Sequence, residues 1–167
     1  MTSINVVVSF RYSFAFRSIA VDDFTNYLKN IQEFAEKHNI IFSTIIPNVS
    51  TTTIMALKSN KSNHTHSLNK TKKDLALKII KELIKDEKGY TNEQADRFID
   101  NNGFMMSDFW QLSFATSSGI RLIGYFVDNN VFEVLFIDYH HLIETDIKYN
   151  QPNYKSYNYC PYKGGDK

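Results

Sequence analysis

The chain has 167 residues, is 43% hydrophobic and 14% aromatic, and sets 19 basic against 18 acidic residues for a net charge of +1. That composition supports one domain with a packed core, excludes a disordered or fibrous chain, and excludes a global polyanion-binding charge, so a nucleic-acid contact must come from a local patch. A single cysteine, Cys160, excludes an intrachain disulfide and a multi-cysteine metal site. With an N-terminus that lacks a signal peptide's basic start and is too short to span a bilayer, it points to a cytoplasmic protein without membrane contact.

Residues 4–19, INVVVSFRYSFAFRSI, place Phe10, Tyr12, Phe14 and Phe16 at period two and predict a strand. Residues 21–38 switch to helical spacing, with Phe24, Tyr27, Leu28, Ile31, Phe34 and Ala35 on one stripe. The β-branched run 40–57, IIFSTIIPNVSTTTIMAL, predicts one or two short strands punctuated by Pro47-Asn48. Residues 58–70 are a polar loop. A helix follows over 71–88, with Thr71 and Asp74 resembling a capping box, Leu75, Ile79, Ile80, Leu83 and Ile84 inward, and Lys78, Lys81, Lys85 and Lys88 on the opposite face. Thr91 and Gln94 form a cleaner capping box for a short helix that ends near Gly103.

Three apolar runs, 109–116, 120–127 and 131–138, are joined by Ser117-Ser118-Gly119 and Asp128-Asn129-Asn130. Links this short predict an antiparallel meander. The tyrosine-rich, aperiodic tail either drapes over the domain or is loose. The expected architecture is α+β: an antiparallel sheet of the N-terminal strand plus the C-terminal three-stranded meander, with two to three helices packed on one face. Residues 1–148 form the domain and 149–167 the tail.

The stretch VLFIDYHHLIETD, residues 134–146, runs an apolar strand into Asp138, Tyr139, His140 and His141. At a strand end these groups could converge on a ligand, with His140 or His141 as acid and base near its ordinary pKa of about 6.5 and Asp138 orienting the imidazole. The plainer reading is that Asp138 caps a turn while the histidines pack at the sheet rim, because adjacent strand residues point to opposite faces. Arg121, early in the middle meander strand, needs an anionic partner: Asp138, Glu133 or a phosphate. His64 and His66 share one face of an extended segment and, with Asp138 and His140 or His141, define the one alternative to a cofactor-free protein, a transition-metal site. Lys78, Lys81 and Lys85, joined by Arg11 on the first strand, offer contacts to an RNA backbone; a solvated helix face is the plainer account. The chain lacks GxxxxGK[ST], GxGxxG, GxSxG and HExxH, which argues against nucleotide-dependent, serine-hydrolase and zinc-peptidase chemistry.

Residues 110–143, WQLSFATSSGIRLIGYFVDNNVFEVLFIDYHHLI, resemble the hairpin core of RelE/ParE-type toxins, where an R-[LV]-[IV] strand turns into an apolar strand ending in a polar cluster. The segment is also similar to R-L-I-G…F-x-V-L-F-I-D-x-x-H stretches of small phage and mobile-element proteins. The resemblance implies a bacterial conflict protein acting on RNA or a translation-related target, a ribonuclease-type toxin that cleaves without metal, with Arg121 and a strand-end histidine near the phosphate. This chain is longer than such toxins and is not strongly basic. The rival expectation is a non-catalytic protein-binding inhibitor, antitoxin or anti-defence factor, for which Tyr149, Tyr154, Tyr157, Tyr159 and Tyr162 would supply interface area.

Overall fold

The computed structural model describes residues 4–59, 64–114, 119–128, 130–145, 153–163 and 165–166. The expected link residues Ser117, Ser118 and Asn129, the end of the first meander run at Thr116, Tyr149 and the 148/149 boundary lie outside them.

The fold is α+β, built on a five-stranded sheet whose strands lie in the order Val7–Ser9, Val131–Asp138, Arg121–Phe126, Phe109–Leu112 and His66–Ser67. The meander supplies its centre: β5 (Phe109–Leu112), β6 (Arg121–Phe126) and β7 (Val131–Asp138) are antiparallel neighbours. β4 (His66–Ser67) pairs antiparallel with β5. β1 (Val7–Ser9) lies parallel to β7, a departure from the all-antiparallel expectation. The rest of the predicted N-terminal strand leaves the sheet, because Ser13–Phe16 close a 3-10 turn. Its aromatic row is thereby split into two stacked pairs, Tyr12 with Phe14 and Phe10 with Phe16.

Residues 20–25 form a two-stranded hairpin, β2 (Ala20–Val21) and β3 (Phe24–Thr25), and not the start of a helix. Asp22 turns it with a φ of 54°. Helix α1 (Ile31–Ile40) begins only where the Asn30 side chain accepts the Glu33 N–H. It then runs on through the predicted strands, as a π-helical segment over Ile41–Ile45 and then α2 (Ile46–Ser50). The reason is a helical stripe hidden in a β-branched run. Ile41, Ile45 and Val49 recur at i, i+4 and i+8 and are fully buried, worth roughly 1.5–3 kcal/mol each, which overrides local strand preference. The π turn widens the helix just before Pro47, whose ring would clash with a regular helical carbonyl and which has no N–H to give. Helix α3 (Ile54–Ser59) buries Leu57.

Helices α4 (Lys70–Lys88) and α5 (Asn92–Asn101) match the periodicity closely. The Thr91/Gln94 capping box forms, whereas α4 is capped by Asn69 and not through Thr71. Gly89 and Gly103 take the left-handed conformation just past each helix.

Helices cover both faces of the sheet, not one. On one side Ile79, Ile80, Leu83 and Ile99 pack on Phe109, Ile123, Tyr125 and Phe136. On the other, Ile41, Ile45, Val49 and Leu57 pack on Leu112, Leu122, Phe132, Val134 and Ile137. A bulge between Ile123 and Gly124 lets β7 serve both layers: Ile123 pairs Phe136 while Gly124 pairs Val134. The extra residue, Leu135, joins Phe136 in the first layer, and the phase of the strand is reversed beyond it. Among the described residues no helix is long and apolar enough to cross a membrane.

Gly124 is required by this bulge, since a Cβ there would lie 2.0 Å from the Glu133 carbonyl oxygen. Gly124→Ala should cost about 2–3 kcal/mol in urea unfolding; an unchanged midpoint would show that the bulge does not constrain that position.

Candidate functional site

The strand end that drew attention in the sequence is closed. Asp138 is fully buried, and its two carboxyl oxygens accept three backbone N–H groups, from His140 (3.1 Å), Leu142 (2.7 Å) and Ile143 (2.8 Å). His141 makes the turn by adopting a φ of 59°. Burial raises the Asp138 pKa, while the three N–H donors and the charge of Arg121, its cross-strand partner, work against that rise. Arg121 is itself 3% exposed and donates through Nη1 to Ser113 Oγ and the Ile120 carbonyl, both at 2.9 Å. Glu133, the other carboxylate considered for it, instead accepts Ser9 Oγ and the Arg11 N–H.

His140 is 1% exposed and its Nε2 sits 2.7 Å from the Tyr27 carbonyl oxygen. A carbonyl only accepts, so Nε2 carries the proton. The ring stacks on Tyr154 and meets Tyr157 edge-on, so the C-terminal segment covers it. His141 is 7% exposed. The expected open acid–base site at Asp138, His140, His141 and Arg121 is therefore a sealed structural junction, which agrees with the plainer reading of a capped turn with packed histidines. Asp138→Asn would put an NH2 against N–H donors and leave Arg121 facing a neutral group. We expect a loss of about 3 kcal/mol by urea unfolding; a loss below about 1 kcal/mol would mean that the carboxyl is not what holds the turn.

The other expected site residues are dispersed. His64 and His66 are exposed at the β4 edge, and His66 Nδ1 lies 3.0 Å from the Ser67 carbonyl oxygen. β4 is three strands from β7, roughly 14 Å across the sheet. The structure thus separates the proposed metal ligands, and the described residues contain no group of three or more His, Cys, Asp or Glu suited to a metal ion. Lys78 pairs with Asp22, Lys81 with Asp96 and Lys85 with Glu82, which neutralises the basic face of α4. Arg11 folds back over the Tyr12 ring.

The site with unspent capacity lies elsewhere. A cleft of about 530 Å³ is lined by Phe16, Phe34, His38, Pro161 and Tyr162. Helix α1 contributes Phe34 and His38 one turn apart, with their rings 4.0 Å from centroid to centroid. Phe42, one turn further, is 50% exposed, and its ring centroid lies 5.8 Å from that of His38. Pro161 and Tyr162 come from the C-terminal segment. That segment is tied down by paired backbone hydrogen bonds between Leu28 and Tyr159, by the short pairing of β8 (Tyr159–Cys160) with β9 (Gly165–Asp166), and by burial of Cys160. Of the two expectations for the tail, its described part drapes. A second cleft of about 360 Å³, beside Asp22, Asp23 and Lys155, has its Asp23 and Lys155 charges paired with each other.

His38 is the one histidine among the residues that line the cleft. Its Nε2 lies 2.8 Å from the hydroxyl of Tyr139, a residue 2% exposed. Burial pushes the imidazole down to about 4 and the phenol up, so both are neutral at pH 7. A buried O–H left undonated is costly, so the phenol donates to Nε2 and the imidazole proton resides on Nδ1. Beside them Lys37, 8% exposed, donates to the Tyr139 carbonyl at 2.9 Å, and burial lowers its pKa despite Glu33 nearby. His38 was not singled out in the sequence. Phe34, His38 and Phe42 stand at i, i+4 and i+8, a stripe that is hidden because the β-branched run from residue 40 predicts a strand across the end of that helix.

The unfolded chain binds a proton at His38 near pH 6.5, and the folded one only near 4. Stability from this group is fully present above 6.5 and is lost as pH falls toward 4. Wild type should therefore lose more stability than His38→Gln across that window, read from thermal midpoints; parallel curves would contradict the buried neutral imidazole.

The family model described as uncharacterised protein UU032 matches residues 9–166, and the chain belongs to that family. A protein of Ureaplasma parvum serovar 3 (strain ATCC 700970), described as uncharacterized protein UU032, is 27% identical over 166 residues, which are 98% of this chain and 83% of the relative. No solved structure matches the chain.

Proposed function

We propose that this member of the UU032 family is a non-catalytic binding protein that takes its ligand in the aromatic cleft around His38. One observation carries the reading. The cleft combines aromatic walls with a single histidine whose ring is fixed from behind by a buried phenol, the combination of apolar lining and few placed polar groups that typifies small-ligand sites. A volume of about 530 Å³ falls inside the usual range for such sites, roughly 300–1,000 Å³.

Catalysis fits the cleft poorly. A general base works best with a pKa near the operating pH, and His38 at about 4 is far below it. None of Phe16, Phe34, Pro161 and Tyr162 is an activated nucleophile. Arg121, Asp138 and His140 hold the fold together, so a role for them in cleaving RNA would require the strand end to open.

Titration with Nile red, a neutral apolar dye, tests this. Wild type should bind one equivalent with a blue shift, and Tyr162→Ala should weaken binding at least several-fold while leaving the circular dichroism unchanged, because Tyr162 is 52% exposed. Absence of saturable binding, or growth arrest on induced expression that His140→Ala abolishes, would overturn the proposal.

A further inference from the structure

We infer that the ligand of the His38 cleft is a neutral, planar heteroaromatic ring that presents a hydrogen-bond acceptor to His38 Nδ1–H. This rests on the binding reading above and narrows it to a chemical class.

Shape comes first. Three of the five lining residues, Phe16, Phe34 and Tyr162, are aromatic, so the cleft rewards a flat, polarisable occupant over a branched aliphatic one. Polarity follows from the protonation of one side chain. With Nε2 engaged by the Tyr139 hydroxyl, the imidazole has Nδ1–H left to offer, and no residue among those described accepts it. A ligand with a ring nitrogen or carbonyl can accept that hydrogen; a ligand that only donates would meet a donor.

Charge is settled by the groups around the cleft. An anion would need a free cation. None of the lining residues Phe16, Phe34, His38, Pro161 and Tyr162 is a lysine or arginine, Arg17 gives Nη1 to Asp86 at 2.8 Å, and the Lys37 amine is buried against the Tyr139 carbonyl. A cation would find no carboxylate in the lining, and the Arg17 guanidinium, 5.7 Å from the Tyr162 ring centroid, would repel it. Both charge signs are disfavoured, which leaves a neutral ring.

Three bicyclic probes of nearly equal size separate the contributions: quinoline, which accepts at its ring nitrogen; naphthalene, which has no polar atom; and indole, which only donates. Each is measured at pH 7.5 by displacement of Nile red from the intact chain. Quinoline should bind about tenfold more tightly than the other two, the equivalent of one hydrogen bond of about 1.4 kcal/mol. His38→Phe should keep naphthalene binding and erase the preference. In case that variant misfolds, nitrogen-15 NMR of the wild-type imidazole gives a second readout: the free protein should show the Nδ1–H tautomer, and quinoline should shift that proton downfield. Equal binding of the three probes, displacement by none of them, or an Nε2–H tautomer would each overturn the inference while leaving the binding reading intact. Failure of Nile red itself to bind would remove the binding reading instead.

Discussion

A carboxyl group with no access to solvent at the end of a central strand is the constraint on which the rest of this structure depends. Asp138 can be accommodated there because three backbone N–H groups and the guanidinium across the strand pair meet it. Those donors exist only if the chain reverses immediately after β7, which is why His141 accepts the left-handed conformation that a non-glycine residue takes at a cost of about 1–2 kcal/mol. The turn then throws Leu142 and Ile143 into the layer beneath α4 and α5, and Tyr139 into the layer beneath α1 and α2. One side chain thus fastens the sheet to the cores on both its faces.

The cleft is a downstream consequence of that fastening. Tyr139 follows Asp138 directly, so its ring is placed by the same turn, its carbonyl is held by Lys37 and its hydroxyl meets His38. Position passes from Asp138 to Tyr139 to His38, and from His38 to the space between α1 and the C-terminal segment. The C-terminal segment closes the arrangement from outside: Tyr154 and Tyr157 cover His140, the Leu28–Tyr159 bridge anchors the chain, and Tyr162 completes the cleft wall. Several tyrosines that would otherwise suit a protein interface are spent on covering the fold.

Much of this was legible in the sequence where local signals agreed with tertiary ones. Strand β7 keeps its predicted bounds because an unbroken apolar run ends in a polar residue that the fold also uses as a stop. Thr91 with Gln94 reads as a helix start because both halves of its reciprocal bonding are written three residues apart. The run from Ile40 to Leu57 misleads because β-branched residues favour strands locally, while the deciding quantity, burial of Ile41, Ile45 and Val49 on one helical face, depends on a sheet that is distant in sequence. The parallel placement of β1 is equally non-local. The histidines at 140 and 141 look functional in one dimension because residue type shows which groups can titrate; only packing shows that Tyr27, Tyr154 and Tyr157 already occupy His140. His38 carries the opposite lesson, since a lone histidine between Lys37 and Asn39 becomes informative once its neighbours form a cleft.

Native-state hydrogen exchange at the amides of Leu142 and Ile143 tests the central claim most directly, because those are the N–H groups that Asp138 accepts. If the strand end is a sealed junction, both amides exchange only with global unfolding, as slowly as the centre of β6 and β7. Exchange within minutes, at the pace of an exposed loop, would show that this end of the sheet opens, and Asp138, His140 and Arg121 would return as candidates for chemistry.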